Sequence, residues 1–289
     1  MDFTRRDILR TGVFVPAAVS AAISQAIAAG DDNQKPERLE EVAGFQVAEE
    51  VAAHRLAILP LGSIEYHGPH NPLGVDSIII SGIADRVALR TKALLLPTIF
   101  LTQCPAHTAY FRGTFSIRPE VMTLYFADVL RNILGLGFKR IFVLNGHDGN
   151  IGPGRGAIAE IEHEDEGSDI IFASWWEFLP GELVKSLGIF SQGNGGHGHG
   201  GPLETSAVAA FRPDLIHLDK SADLPQPPDL SGGPPYFLQK SVTKDWPGYS
   251  GKVSEASAEK GRRLVKLSED GIVKLVENWL SNPEAPGSW

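Results

Sequence analysis

Short apolar runs alternate along this chain with longer stretches of helical periodicity. Leu56–Leu61, Ala93–Phe100, Arg140–Leu144 and Ile170–Ser174 are dominated by apolar residues and read as strands buried on both faces. Helical patterns cover Asp76–Leu89, Pro119–Leu136 and Gly152–Glu164. Another helix begins over Thr205–Ala210, and a last one runs from about Ser254 to Leu280. Pro119 in the first turn, and Gly135 and Gly137 at the far end, mark the limits of the second helix. This alternation predicts an α/β protein, with a mostly parallel sheet covered by helices on both faces. Residues 219–250 are rich in Pro and Gly and read as a long ordered loop, suited to a lid or an oligomer contact.

The first thirty residues break the pattern. Arg5 and Arg6 form a charged head, no residue from Thr11 to Gly30 is charged, and Ala26-Ile27-Ala28 fits a small-residue cleavage site. Thr4-Arg5-Arg6-Asp7-Ile8-Leu9-Arg10 resembles the twin-arginine export motif. The expected organisation is a signal peptide over residues 1–28 and one domain over 29–289, located in the periplasm or secreted. The uncharged stretch is broken by Gly12 and Pro16 and is weakly hydrophobic for a permanent span, so no stable membrane anchor is expected after processing.

Composition narrows the functional classes. The 289 residues carry a net charge of −9, so there is no basic excess and nucleic acid is not an expected partner. The single cysteine, Cys104, excludes an internal disulfide framework and a cysteine-based zinc finger. Nine histidines and 31 glycines leave room for a His/carboxylate metal site on glycine-rich loops.

In open α/β sheets, ligands bind beyond the carboxyl ends of the strands. Three such segments carry chemistry here. After the first strand, Glu65 and His67 are two residues apart, so an extended backbone points both to one side, and Asp76 follows at the start of a helix. Together they offer oxygen and nitrogen ligands for Zn, Mn or Fe, although Asp76 also suits a plain helix cap. After the third strand, His147 sits in the turn Asn145-Gly146-His147-Asp148-Gly149-Asn150. The third segment, Gly195 to Ser206, holds His197, His199 and Glu204. Glu204 is placed to bind metal or to favour a helix dipole.

Taken together, these segments resemble the creatininase (creatinine amidohydrolase) family. The resemblance rests on Leu59-Pro60-Leu61-Gly62-Ser63-Ile64-Glu65-Tyr66-His67-Gly68-Pro69-His70 with Asp76, on Asn145-Gly146-His147 with Gly149-Asn150, and on His199-x-Gly201-x-x-Glu204-Thr205-Ser206. His107 with Phe111-x-Gly113-Thr114 and the late Glu259-Lys260-Gly261-Arg262 extend it over roughly residues 39–280.

The resemblance implies a three-layer α/β/α sandwich, two divalent metal ions per subunit (Zn, Mn or Fe), and a homo-oligomer, with hexamers known in the family. It implies hydrolysis of a carbon–nitrogen bond in a small, in some members cyclic, amide by a water that the ions make nucleophilic. By motif match Glu65, His67, Asp76 and His147 are the expected ligands, with Asp76 bridging both ions. Creatininase proper has a ligand Glu where this chain has Gly149, and Glu204 becomes the candidate for the missing carboxylate. His199, and secondarily His107, is the expected proton donor to the leaving nitrogen. Cys104, His107, Trp175 and Trp176 are expected around the substrate, although such tryptophans equally suit core packing. Pro202, Arg112 and Cys104 depart from the family pattern near the expected substrate position, which bears on substrate identity. The competing readings are a peptidase on the same centre, a catalytically silent binding protein of the same fold, and a cysteine hydrolase using Cys104 and His107.

Overall fold

The computed structural model describes residues 34–162, 164, 167–179, 198–224 and 245–282. The export segment, His197 and most of the Pro/Gly-rich stretch 219–250 therefore lie outside the described residues. In chain order the regular elements are α1 (Val47–Ala53), β1 (Ala57–Leu61), α2 (Val75–Thr91), β2 (Leu94–Leu95), α3 (Ala106–Ala109), α4 (Pro119–Gly135), β3 (Arg140–Asn145), α5 (Ile151–Ile161), β4 (Asp169–Ser174), α6 (Pro202–Phe211) and α7 (Ala258–Ser281). The strands form one all-parallel sheet in the order β2–β1–β3–β4.

Alternation along the strands builds the layers. Ile58, Phe142 and Leu144 face α2, α6 and α7, packing with Ile79, Ile80, Val208 and Leu264. Ala57, Leu59, Leu61, Ile141 and Val143 face α4 and α5, packing with Phe126, Leu130 and Ala157. Both faces are thus covered, which explains why the strands carry polar residues only at their ends, Arg140, Asn145, Asp169 and Ser174. The result is an α/β sandwich. Among the described residues no helix is long and apolar enough to cross a membrane.

The register positions the site. Leu61 pairs with Asn145, and Asn145 with Ser174, so three strands end in one row. Everything after that row emerges on the same edge of the sheet.

Three expectations about element limits differ in detail. The second strand spans only Leu94–Leu95, because Pro97 has no N–H to donate, and pairing resumes as one bridge between Ile99 and Leu61. The last helix starts at Ala258, since the Ser257 side chain accepts the Lys260 amide and fixes the cap. Helix α6 begins at Pro202, three residues before the apolar pattern shows it.

Helices α6 and α7 approach closely at Gly261, where an added Cβ would overlap the Ser206 carbonyl. Gly261→Ala is expected to cost about 3 kcal/mol or more, because backbone and not a flexible side chain must move. At this chain size that lowers the thermal midpoint by roughly 6–12 °C, measurable by calorimetry.

Candidate metal centre

The segment after β1 is pinned before it delivers any side chain. The Gly62 carbonyl accepts from the Thr102 hydroxyl and the Asn150 amide, and the Ser77 hydroxyl donates to the Ser63 carbonyl. Ser63 Oγ in turn donates to Asp76 Oδ2 at 2.6 Å, orienting that carboxylate from the first turn of α2. The Thr108 hydroxyl of α3 donates to Glu65 Oε1. After β3, Asn145 holds the turn by accepting the His147 amide and donating to the His147 carbonyl.

Glu65, His67, Asp76 and His147 converge beyond the row of strand ends, each no more than 4% exposed. His147 Nδ1 lies 2.9 Å from Asp76 Oδ2 and 3.4 Å from Glu65 Oε2. His67 Nε2 lies 3.4 Å from Asp76 Oδ1, 3.8 Å from Glu65 Oε2 and 3.7 Å from Glu204 Oε2. Asp76 therefore turns one oxygen to each of two histidines, the disposition a bridging carboxylate needs. Glu204 stands in the first turn of α6 with Oε2 accepting the Gly200 amide at 2.7 Å. His199 stacks on His67 with ring centroids 4.1 Å apart.

The electrostatics follow from crowding charge in a buried space. Burial alone would depress His67, but Asp76, Glu204 and Glu65 push it up to about 10. Burial opposes ionisation of Asp76, yet His67 and His147 hold it well below the usual carboxylate range. Burial raises Glu204 to about 7 against the pull of His67. Burial, reinforced by His67, lowers His199 to about 4, so this imidazole is neutral near pH 7.

Three carboxylates gathered around histidines in a largely buried site are costly unless cations compensate them. Candidate donor groups are present: the ligand atoms of Glu65, His67 and His199 lie within 4.8 Å of one another, as do those of His67, Asp76 and Glu204, and those of Glu65, Cys104 and His147. Hard oxygen with imidazole nitrogen suits Zn, Mn or Fe. The residues fit a divalent-metal centre.

A cavity of about 300 Å³ opens over this cluster. Its walls include His107, Asp148, Pro105, Trp175, Trp176 and Leu203. Trp176 is the half-buried wall residue, whereas Trp175 is 1% exposed and belongs mainly to the core between β4 and α7. Cys104 does not reach the cavity wall. Its thiol lies behind Glu65 and His147 and donates to the Phe115 carbonyl at 3.2 Å, and burial pushes its pKa up. A buried, neutral thiol so placed gives no support to the cysteine-hydrolase reading.

Sequence reasoning passed over Trp246, whose ring lies 5.8 Å from His199 and 5.6 Å from His107. It also passed over the backbone carbonyls that orient the histidines. The only signal for Trp246 was a lone tryptophan within a Pro/Gly-rich stretch.

An all-parallel sheet with buried imidazoles and carboxylates beyond its strand ends defines the class, an α/β protein with a candidate divalent-metal centre. The chain belongs to the creatininase family: residues 40–276 match the family described as creatinine amidohydrolase. It is 29% identical over 232 residues to the creatinine amidohydrolase of Pseudomonas putida, covering 76% of this chain and 87% of that protein. It is 30% identical over 238 residues to the mycofactocin precursor peptide peptidase of Mycobacterium ulcerans, covering 78% and 86%. Among solved structures, a mutant creatininase of Zn–Zn type superposes with a TM-score of 0.73 at 26% identity, covering 85% of this chain and 98% of that one. A manganese form of creatininase gives 0.71 at 26% identity, covering 84% and 98%. The chain is accordingly a hydrolase of carbon–nitrogen amide bonds.

Proposed function

We propose that this protein is a metal-dependent amidohydrolase that cleaves the carbon–nitrogen bond of a small, non-peptide amide, cyclic or open-chain. One observation carries the reading: imidazoles and carboxylates delivered after β1, after β3 and from the start of α6 converge in one cluster under a cavity of small-molecule size. Glu65, His67, Asp76, His147 and Glu204 would hold two divalent ions, Zn, Mn or Fe. Bound there, the ions supply Lewis acidity and a water that ionises near neutral pH.

The chain's own groups do the rest. Thr108 and Ser63 fix the orientation of Glu65 and Asp76 before substrate arrives. Trp176 and Leu203 supply an apolar wall against which a compact amide packs and displaces water. The departing nitrogen needs a proton, and His107 and His199 are the imidazoles placed at the cavity to provide it. The test is a screen of metal-reconstituted protein against creatinine, other lactams, formamides and short peptides. Turnover of a small amide that disappears on chelation and returns with metal supports the reading, and chelator-insensitive turnover refutes it. Cleavage of short peptides alone would favour the second reading, a peptidase, which the mycobacterial relative supports.

The same proposal places the enzyme outside the cytoplasm and in a homo-oligomer, acting on a small molecule without nucleic acid. Arg5 and Arg6 ahead of an uncharged stretch support export by the twin-arginine route. Replacing both by Lys is expected to leave precursor in the cytoplasm on fractionation. Unchanged periplasmic accumulation counts against that route.

A further inference from the structure

His199 is held by a closed circuit of contacts, and Trp246 completes it. His199 Nε2 donates to the Tyr66 carbonyl at 2.7 Å. The Tyr66 ring stacks on Phe111 with centroids 4.4 Å apart. Phe111 meets Trp246 edge-on at 6.0 Å, and Trp246 returns to the His199 ring at 5.8 Å. Trp246 also packs edge-on against His107 at 5.6 Å, and His107 lies 6.4 Å from His199. Among the described residues no other aromatic ring packs against both of these imidazoles.

The backbone is shaped to deliver the indole. Gly248, two residues further on, has a φ of +81°, where a side chain is strained. A Cβ there would also lie 2.5 Å from the Tyr66 ring and 3.1 Å from Phe111, so glycine lets the segment run close to both. The Ser250 amide donates to the His199 carbonyl at 2.9 Å, and the Tyr249 hydroxyl donates to the Ala222 carbonyl at 3.0 Å. Residues 246–250 thus clasp His199 by its ring and by its backbone.

We propose that Trp246 is a positioning residue for the imidazoles at the cavity, setting the tilt of His199 and packing His107 beside it. That role rests on the amidohydrolase reading above. An imidazole that serves a departing nitrogen has to be aimed, and a hydrogen bond at Nε2 fixes only one point of the ring. The rings packed against it, His67 at 4.1 Å and Trp246, hold its plane.

The experiment compares wild type, Trp246→Ala, Trp246→Phe and Gly248→Ala after reconstitution with Zn. It reads metal content, kcat and KM for the best amide of the screen, and the imidazole NMR signals of histidine-labelled protein. The His199 signal is assigned by its loss in His199→Gln. In Trp246→Ala and Gly248→Ala the His199 signal is expected to move, and kcat to fall by roughly 10–10²-fold with KM little changed and metal content equal to wild type. Trp246→Phe keeps an aromatic face and is expected to retain the wild-type signal and most of kcat. An unchanged His199 signal in Trp246→Ala, or a fall in kcat that merely follows lost metal, overturns the assignment. A His199 signal that moves as expected in a protein whose wild type turns over no amide supports the positioning contact and sinks the amidohydrolase reading, which separates the two failures.

Discussion

Asp76→Ala is expected to yield a folded protein that retains neither ion and has lost several orders of magnitude in kcat/KM. The expectation follows from what Asp76 alone does. Its two oxygens are divided between His147 and His67, at 2.9 and 3.4 Å, and its side chain is almost wholly buried. Two ions that share a site repel each other strongly, and a carboxylate between them is the group that offsets this. On the proposed two-ion reading, removing it would take a ligand from both positions at once. The Ser63 hydroxyl also loses its acceptor, which costs about 1–3 kcal/mol for a buried donor. Asp76→Asn separates these effects, because an amide oxygen can still accept from Ser63 while the negative charge is gone. Both variants are compared by metal content and by turnover of the best amide from the screen. Full metal occupancy in Asp76→Asn with unchanged kcat/KM would mean that the cluster is not the reaction centre.

Much of this was legible in the chain. The strands showed as apolar runs because both faces of the sheet are covered, and the sites showed because α/β sheets place function after strand ends. Glu65 and His67 could be paired from a spacing of two, and the structure does turn both toward one point. Other features left no trace. The anchors that choose the histidine tautomers are carbonyls of Glu65, Gln103 and Tyr66, and a backbone carbonyl has no sequence signature. The role of Thr108 depends on a four-residue helix too short to predict. Cys104 was placed near substrate by its position in the motif, but its thiol turns back toward Phe115. Trp175 follows β4 as expected, and the register that sends it into the core is a property of three dimensions only.

The second large effect is expected at Glu204, and its argument begins with the alternatives. Gly149 has no side chain and no room for one. Glu177 is committed elsewhere, since its carboxylate accepts the Ser174 amide at 2.7 Å to close a capping box. Asp148 lines the cavity wall, and no contact places its carboxylate with the buried cluster. Glu204 groups with His67 and Asp76, and the Gly200 amide holds one of its oxygens in place from the preceding turn. Glu204→Gln is a clean change, because the amide oxygen can keep the Gly200 hydrogen bond while the charge is removed. The thermal midpoint is therefore expected to stay within a few degrees of wild type, by an effect of order 1 kcal/mol or less. Occupancy of one ion is expected to fall, and turnover to drop by roughly 10²–10⁴-fold. Metal analysis and kinetics on the same preparation read both. If Glu204→Gln binds both ions and turns over at the wild-type rate, Glu204 is only a loop clamp for Gly200, and Asp148, across the cavity, becomes the carboxylate to replace next.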